Sequence, residues 1–328
     1  MRRFAFAALL LILSLGTARA ETIAIARQYG VAFLPFIVME EQKLIEKHAA
    51  QLGQPDLSVN WVVVSGAAAM TDSLLSGAVA LGAGAPPGLI LLWDRTHGTA
   101  NAVLGIGAIA VMPTTLITRN PNLHSIADLS ETDRIALPSV KISNAALVLE
   151  MEAARRYGMA SYDRFDHLTL SLGHPEAAQQ ISGNGQVNSH FASPPFEHLE
   201  LRNPAVHTVL SSVDVMGDTS LTDVWTTRKF ATSHPITVQA MFDAMGEAIA
   251  TINADRSAAA DLYLRVTQDR IGKAALMEVL ADPHIRYSTT PLGTMAFADF
   301  MHRTGTIKSM PGSWKEMFLP LAHGLDGN

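Results

Sequence analysis

Two histidines, a lysine ahead of a Ser-Asn pair, and a set of short loops rich in glycine, serine and proline are where this 328-residue sequence offers chemistry to a small polar molecule. His174 sits in Gly173-His174-Pro175, and His190 opens the segment 190–195 that also carries Ser193. A neutral imidazole hydrogen-bonds a polar ligand through either ring nitrogen. Ser143 and Asn144 are suited to cap a following helix, with Lys141 and Ile142 just upstream, so a carboxylate or sulfonate head group has a place to rest. The loops Gln28-Tyr29-Gly30, Ser65-Gly66, Gly84-Ala85-Pro86 and Met112-Pro113-Thr114 have the composition that lets a backbone approach a ligand closely. Each is equally the composition of an ordinary turn, so their meaning depends on what the fold brings together.

Other chemistries lack their residues. There is no cysteine, which removes disulfides, thiolate metal sites and a cysteine nucleophile. The twelve histidines include no His-Glu-x-x-His pattern, and His174, His190 and His198 fall on different expected elements, so no metal site is expected. No Gly-x-Ser-x-Gly elbow or spaced carboxylate pair nominates a hydrolase. Gly105-Ile106-Gly107-Ala108-Ile109-Ala110 fits a dinucleotide fingerprint on paper, yet it runs into Met112-Pro113 where the phosphate-binding helix should start. A glycine-rich strand is the better reading. The net charge of −6 and the scattered basic residues argue against a nucleic-acid partner. The sequence therefore leads us to expect no catalytic residue, cofactor or metal.

The elements that must position these loops alternate. Residues 22–27, 57–64, 79–83, 101–107 and 114–118 read as strands, and 34–52, 67–76 and a segment starting at 89 as helices. The middle of the chain repeats the theme: strands at 134–137, 167–172 and 186–191, with helices at 143–157, from 175 and from 194. A last strand at 223–227 precedes a helical tail, where Val238, Met241, Phe242, Met245, Ile249 and Ile252 share one helix face. Such alternation is the pattern of an α/β fold, with the low charge content suiting parallel sheets buried under helices. Arg2 and Arg3, an apolar run over 4–15 and Ala18-Arg19-Ala20 form a secretory signal, with cleavage expected after Ala20. The remaining length exceeds what one core usually holds, so two lobes are expected.

In order and spacing these segments resemble the periplasmic binding proteins of the nitrate, sulfonate and taurine ABC importers, a family that also contains thiamine-pyrimidine precursor binders. The motifs that carry the resemblance are Ile23-Ala24-Ile25-Ala26-Arg27-Gln28-Tyr29-Gly30, the strand and glycine loop at 59–66, and Leu74-Leu75-Ser76-Gly77 through Gly82-Ala83-Gly84-Ala85-Pro86-Pro87. Further along are Ser125-Ile126-Ala127-Asp128-Leu129 with Arg134-Ile135-Ala136-Leu137-Pro138, and Asp223-Val224-Trp225-Thr226-Thr227-Arg228-Lys229-Phe230 with Ser233-His234-Pro235.

The resemblance implies a type II, Venus-flytrap fold: lobe one from residues 21–113 plus 218–328, lobe two from 114–217, with hinge crossings near Met112-Pro113 and Gly217-Asp218. It implies a periplasmic, monomeric, non-enzymatic protein that closes on a small-molecule ligand and docks on an inner-membrane ABC permease. Asp223 stands where a ligand amine is paired in taurine-type members. Two departures alter the pocket: Lys141-Ile142-Ser143-Asn144 replaces the family's run of small hydroxylated residues, and Ala192-Ser193-Pro194-Pro195 replaces its Trp-x-Pro loop. The rival readings are a thiamine-precursor synthase, which needs a cysteine this chain lacks, and a stand-alone periplasmic sensor with the same pocket.

Overall fold

The computed structural model describes residues 21–64, 66–183 and 185–328, so the export signal expected over 1–20 and the loop residue Ser65 lie outside the described residues. The chain begins with β1 (Glu21–Arg27), α1 (Leu34–Gln42), α2 (Leu44–Gln51), β2 (Leu57–Val63), α3 (Ala67–Leu75), β3 (Leu81–Gly84), α4 (Pro86–Thr96) and β4 (Val103–Val111). It continues through β5 (Thr115–Thr118), β6 (Ile135–Leu137), α5 (Asn144–Tyr157), β7 (Thr169–Ser171), α6 (His174–Ser182), β8 (Ser189–Ala192), α7 (Phe196–Glu200), β9 (His207–Ser211) and α8 (Ser212–Met216). Then come β10 (Ser220–Thr227), α9 (Arg228–Ser233), α10 (Pro235–Ala254), α11 (Arg256–Thr267), α12 (Lys273–Ala281) and α13 (Thr294–Arg303).

These strands form two five-stranded sheets, ordered β2-β1-β3-β10-β4 and β7-β6-β8-β5-β9. Two α/β layers joined where the chain crosses between them make a two-lobed fold. The sheets are mixed rather than parallel throughout, which corrects the expectation from composition. β1 runs parallel to β2 and β3, whereas β10 runs against β3 and β4; β6 runs parallel to β7 and β8, whereas β5 runs against β8 and β9. The reversed strands are those by which the chain enters a sheet from the other one.

Other local differences have local causes. The helix expected over 34–52 is two helices, broken at Lys43, whose backbone is left-handed with φ 48°. β9 is a strand that the sequence pattern does not predict. Every residue of β4 is buried, as a strand covered on both faces requires, and its outer edge is closed by the C-terminal tail through Phe318 and by Arg286. Gly105, half of the paper fingerprint, lies under the Phe318 ring: an added Cβ would stand 2.4 Å from it. Close packing, not phosphate, is what that glycine serves.

The first sheet, its helices and the predicted apolar face of α10 share one continuous core that includes Phe36, Ile25, Met241, Met245 and Phe297. The second sheet packs two smaller clusters, one on each face. Strand alternation sorts them: Ile135, Leu137 and Phe191 face the α5 side, while Ala136 and Ala192 face α6 with Ala177 and Ile181. The same alternation puts His190 on the α6 face.

Candidate functional site

The segments that follow β1, β2, β3, β6 and β7, the crossing at Thr114, the end of β8 and part of β10 line one cavity of about 110 Å³ between the sheets. A single water needs roughly 10–15 Å³ on this measure, so the space suits a small organic molecule. This is where open α/β sheets present ligands, beyond the carboxyl ends of strands.

From the first lobe come Gln28, Tyr29, Gly30 and Phe33, then Ala67, Met70 and Thr71 of α3, Gly84, Ala85 and Gly88, and Leu221, Thr222 and Trp225 of β10. The second lobe supplies Pro138, Ser139, Ile142, Ser143, Asn144 and Ala145, then His174, Phe191, Ser193 and Pro194. Among the described lining residues there is no Lys, Arg, Asp or Glu. What positive potential the cavity has comes from backbone: α3, α4, α5 and α6 all begin at its wall, and the starts of α3, α5 and α6 carry N–H groups with no intrahelical acceptor, whereas α4 adds its dipole alone, because Pro86 and Pro87 have no N–H and the Gly88 N–H donates to the Ala85 carbonyl. Ser143 takes one of these by accepting from the Ala146 N–H at 3.2 Å, which is the expected cap. Gly84 has a steric reason to be glycine, since a Cβ there would stand 3.0 Å from the Trp225 ring.

Three polar atoms on the lining are buried with no partner among the described residues: Thr114 Oγ1, Asn144 Oδ1 and Trp225 Nε1. The Asn144 amide is oriented by its Nδ2, which donates to the Ser220 carbonyl at 3.2 Å, leaving Oδ1 as an acceptor. Unmade hydrogen bonds of this kind are costly when dry, so a polar ligand that satisfies them gains affinity. No three His, Asp or Glu side chains gather as a metal site among the described residues.

Ten of the residues nominated from sequence meet on this wall: Gln28, Tyr29, Gly84, Ala85, Thr114, Ile142, Ser143, Asn144, His174 and Ser193. Five do not. Gly66 is the residue before α3, with φ 98°, and only its successor Ala67 reaches the cavity. Pro86 is the buried first residue of α4. Lys141 is exposed and its charge acts on Glu150 and Asp166 in lobe two, where burial pushes the Glu150 carboxyl up to about 8 and Lys141 opposes the rise. Asp223 is wholly buried inside β10, and burial pushes it up to about 8 against a lowering contribution from the Ser220 side chain, so at neutral pH it is mostly protonated and offers little charge to a ligand amine. Ser65 lies outside the described residues.

His190 is off the wall but bonded to it. Ser193 Oγ lies 3.0 Å from His174 Nε2, His174 Nδ1 lies 2.9 Å from His190 Nε2, and His190 Nδ1 lies 2.8 Å from Glu200 Oε1. His174 stacks on Phe196 and is partly open, whereas His190 and Glu200 are buried. Burial, with His190 alongside, holds His174 well below the ordinary imidazole range; burial takes His190 down to about 3 and pushes Glu200 up to about 8. Both rings are therefore neutral near pH 7.

Sequence reasoning missed the apolar half of the wall, Phe33, Met70, Leu221 and Trp225, because looking after strands finds loops and not helix first turns or the interior of β10. Glu200 carried no signal at all.

No protein-family model matches the chain, and no curated protein matches it. Solved structures are similar. The alkanesulfonate-binding protein of Xanthomonas axonopodis pv. citri, bound to MOPS, superposes with TM-score 0.68 at 19% identity over 88% of this chain and 95% of that one. The periplasmic aliphatic sulphonate-binding protein of Escherichia coli gives 0.67 at 16% identity over 92% and 99%. The periplasmic nitrate-binding protein of Synechocystis PCC 6803 gives 0.55 at 14% over 78% and 68%. At these identities the likeness establishes the fold, the two-lobed periplasmic-binding-protein fold, in agreement with the resemblance read from the motifs.

Proposed function

We propose that this chain is the periplasmic solute-binding component of an ABC importer, and that it holds a small organic oxyanion with an apolar body, of the alkylsulfonate or short carboxylate kind, between its two lobes. One observation carries this reading: a cavity bounded by both sheets, on which four helix starts converge without a single charged side chain among the described lining residues. All four favour an anion by partial charge, and α3, α5 and α6 also by free N–H groups. Phe33, Met70, Phe191 and Trp225 suit a hydrocarbon portion, which nitrate lacks. The sulfonate-binding neighbours support the same class.

On this reading lobe one comprises 21–113 with 218–328 and lobe two 114–217. The segments at Met112-Pro113 and Gly217-Asp218 act as hinges, and a ligand touching both walls shifts the population toward a closed form that the permease recognises. No chemical step is involved; the protein acts in the periplasm as a monomer, after cleavage following Ala20.

Thermal-shift screening of the mature protein against C2–C6 alkylsulfonates, alkylcarboxylates, nitrate, amino acids and pyrimidines tests the class. Ligand at 100 times its Kd should stabilise the fold by ~2.7 kcal/mol. Stabilisation by alkylsulfonates or carboxylates is expected; stabilisation confined to amino acids or pyrimidines, or turnover of any of these compounds, overturns the proposal.

A further inference from the structure

The chain from Ser193 to Glu200 contains two rings whose tautomers cannot be chosen independently. Each imidazole is bonded at both nitrogens, so a neutral ring must donate through one and accept through the other. Suppose the chain holds its extra proton on Glu200. The carboxylic acid donates to His190 Nδ1, His190 Nε2–H donates to His174 Nδ1, and His174 Nε2–H donates to Ser193 Oγ, whose own O–H is left to point into the cleft. Remove that proton and every bond reverses: His190 Nδ1–H donates to the carboxylate, His174 Nδ1–H donates to His190 Nε2, and Ser193 O–H donates to His174 Nε2, leaving only lone pairs toward the ligand. Shifting the extra proton from Glu200 onto His190 changes nothing at the far end, because His190 then donates through both nitrogens and His174 still donates to Ser193.

We infer that Ser193, His174, His190 and Glu200 act as one proton-ordered relay that decides whether the lobe-two wall offers the ligand a donor or an acceptor, so that an oxyanion binding at Ser193 to the relay in its deprotonated state brings one proton from solvent into the chain. The inference rests on the oxyanion reading of the cleft for its direction, but the relay itself is a property of the ligand-free protein.

The surroundings leave Glu200 as the end of the line. On α7 the nearest like group is Glu197, itself pushed up by burial, with Glu200 and Asp282 adding to the rise. From α12, Glu278 is engaged by His198 at 3.1 Å. Glu176 on α6 and Arg202 beyond α7 are exposed. Among the described residues His190 is the partner that Glu200 bonds.

The test combines two readouts. In ¹⁵N-histidine NMR of the ligand-free mature protein, His174 and His190 should switch together from the Nε2–H to the Nδ1–H tautomer in a single titration near pH 8, and Glu200→Gln, whose amide N–H mimics the protonated acid toward His190, should hold both rings as Nε2–H across pH 6–9. Calorimetry with 1-butanesulfonate in buffers of different ionisation enthalpy should show uptake approaching one proton above that titration. The affinity should fall about tenfold per pH unit there, and Glu200→Gln should abolish both effects. Rings that titrate separately, or that switch unchanged in Glu200→Gln, overturn the relay. A concerted switch in a protein that does not bind butanesulfonate keeps the relay and rejects the ligand class, and binding without proton uptake rejects the coupling.

Discussion

The two walls of the cleft are built on different principles. The lobe-one wall stands on a single large core and meets the ligand with backbone, glycine and aromatic surface; buried in β10 beside it is the protonated acid Asp223. The lobe-two wall stands on two small clusters and has a four-residue polar chain threaded behind it, from the cleft to buried Glu200. The difference teaches where stability and selectivity are held: shape and most of the folding energy in lobe one, hydrogen-bonding sense in lobe two.

The comparison breaks first if the large core is not the main source of stability. Phe36→Ala should cost ~3–5 kcal/mol in chemical denaturation, the range for removing a fully buried ring; a loss below 1 kcal/mol would deny lobe one that role. Gly105→Ala should cost about 1–3 kcal/mol by forcing the Phe318 ring aside, and wild-type stability in that variant would contradict the packing given for β4.

The buried acid of lobe one gives a sharper test. Asp223 has a folded value of about 8 against ~3.9 unfolded, so its contribution is fully present below the unfolded value and is lost as pH rises toward about 8. Replacing it by asparagine should remove up to ~1.4 kcal/mol per pH unit from the slope of stability between pH 4 and 8, and an unchanged slope would mean the group is ionised in the fold. The smallest effect is expected at Lys141: Lys141→Ala should leave butanesulfonate affinity within about twofold, because the side chain lies off the cleft wall, and a tenfold loss (~1.4 kcal/mol) would return it to the site.

Much of this architecture was legible from periodicity and punctuation. Ile23 to Arg27, Asn60 to Val64 and the stripe from Val238 to Ile252 declare their elements, and the loops after them contain most of the polar wall. What was not legible depends on distance. Lys43 in a left-handed conformation splits a helix that its neighbours continue, and β9 is a five-residue strand whose pattern is weak without its partner β5. Strand direction in β5 and β10 follows from which sheet the chain arrives from, which no local pattern encodes. His174 and His190 stood out as residues with chemistry, but their coupling requires β8 and α6 to lie side by side. Lys141 misled because sequence adjacency to Ser143 and Asn144 says nothing about which way a residue of positive φ projects.

The claim on which the account depends is that two lobes shut on a ligand held by both. Small-angle X-ray scattering of the mature protein, with and without saturating butanesulfonate, measures this directly. The account predicts a smaller radius of gyration in the presence of ligand, while scattering profiles that superimpose at a concentration where calorimetry shows the site filled would contradict it.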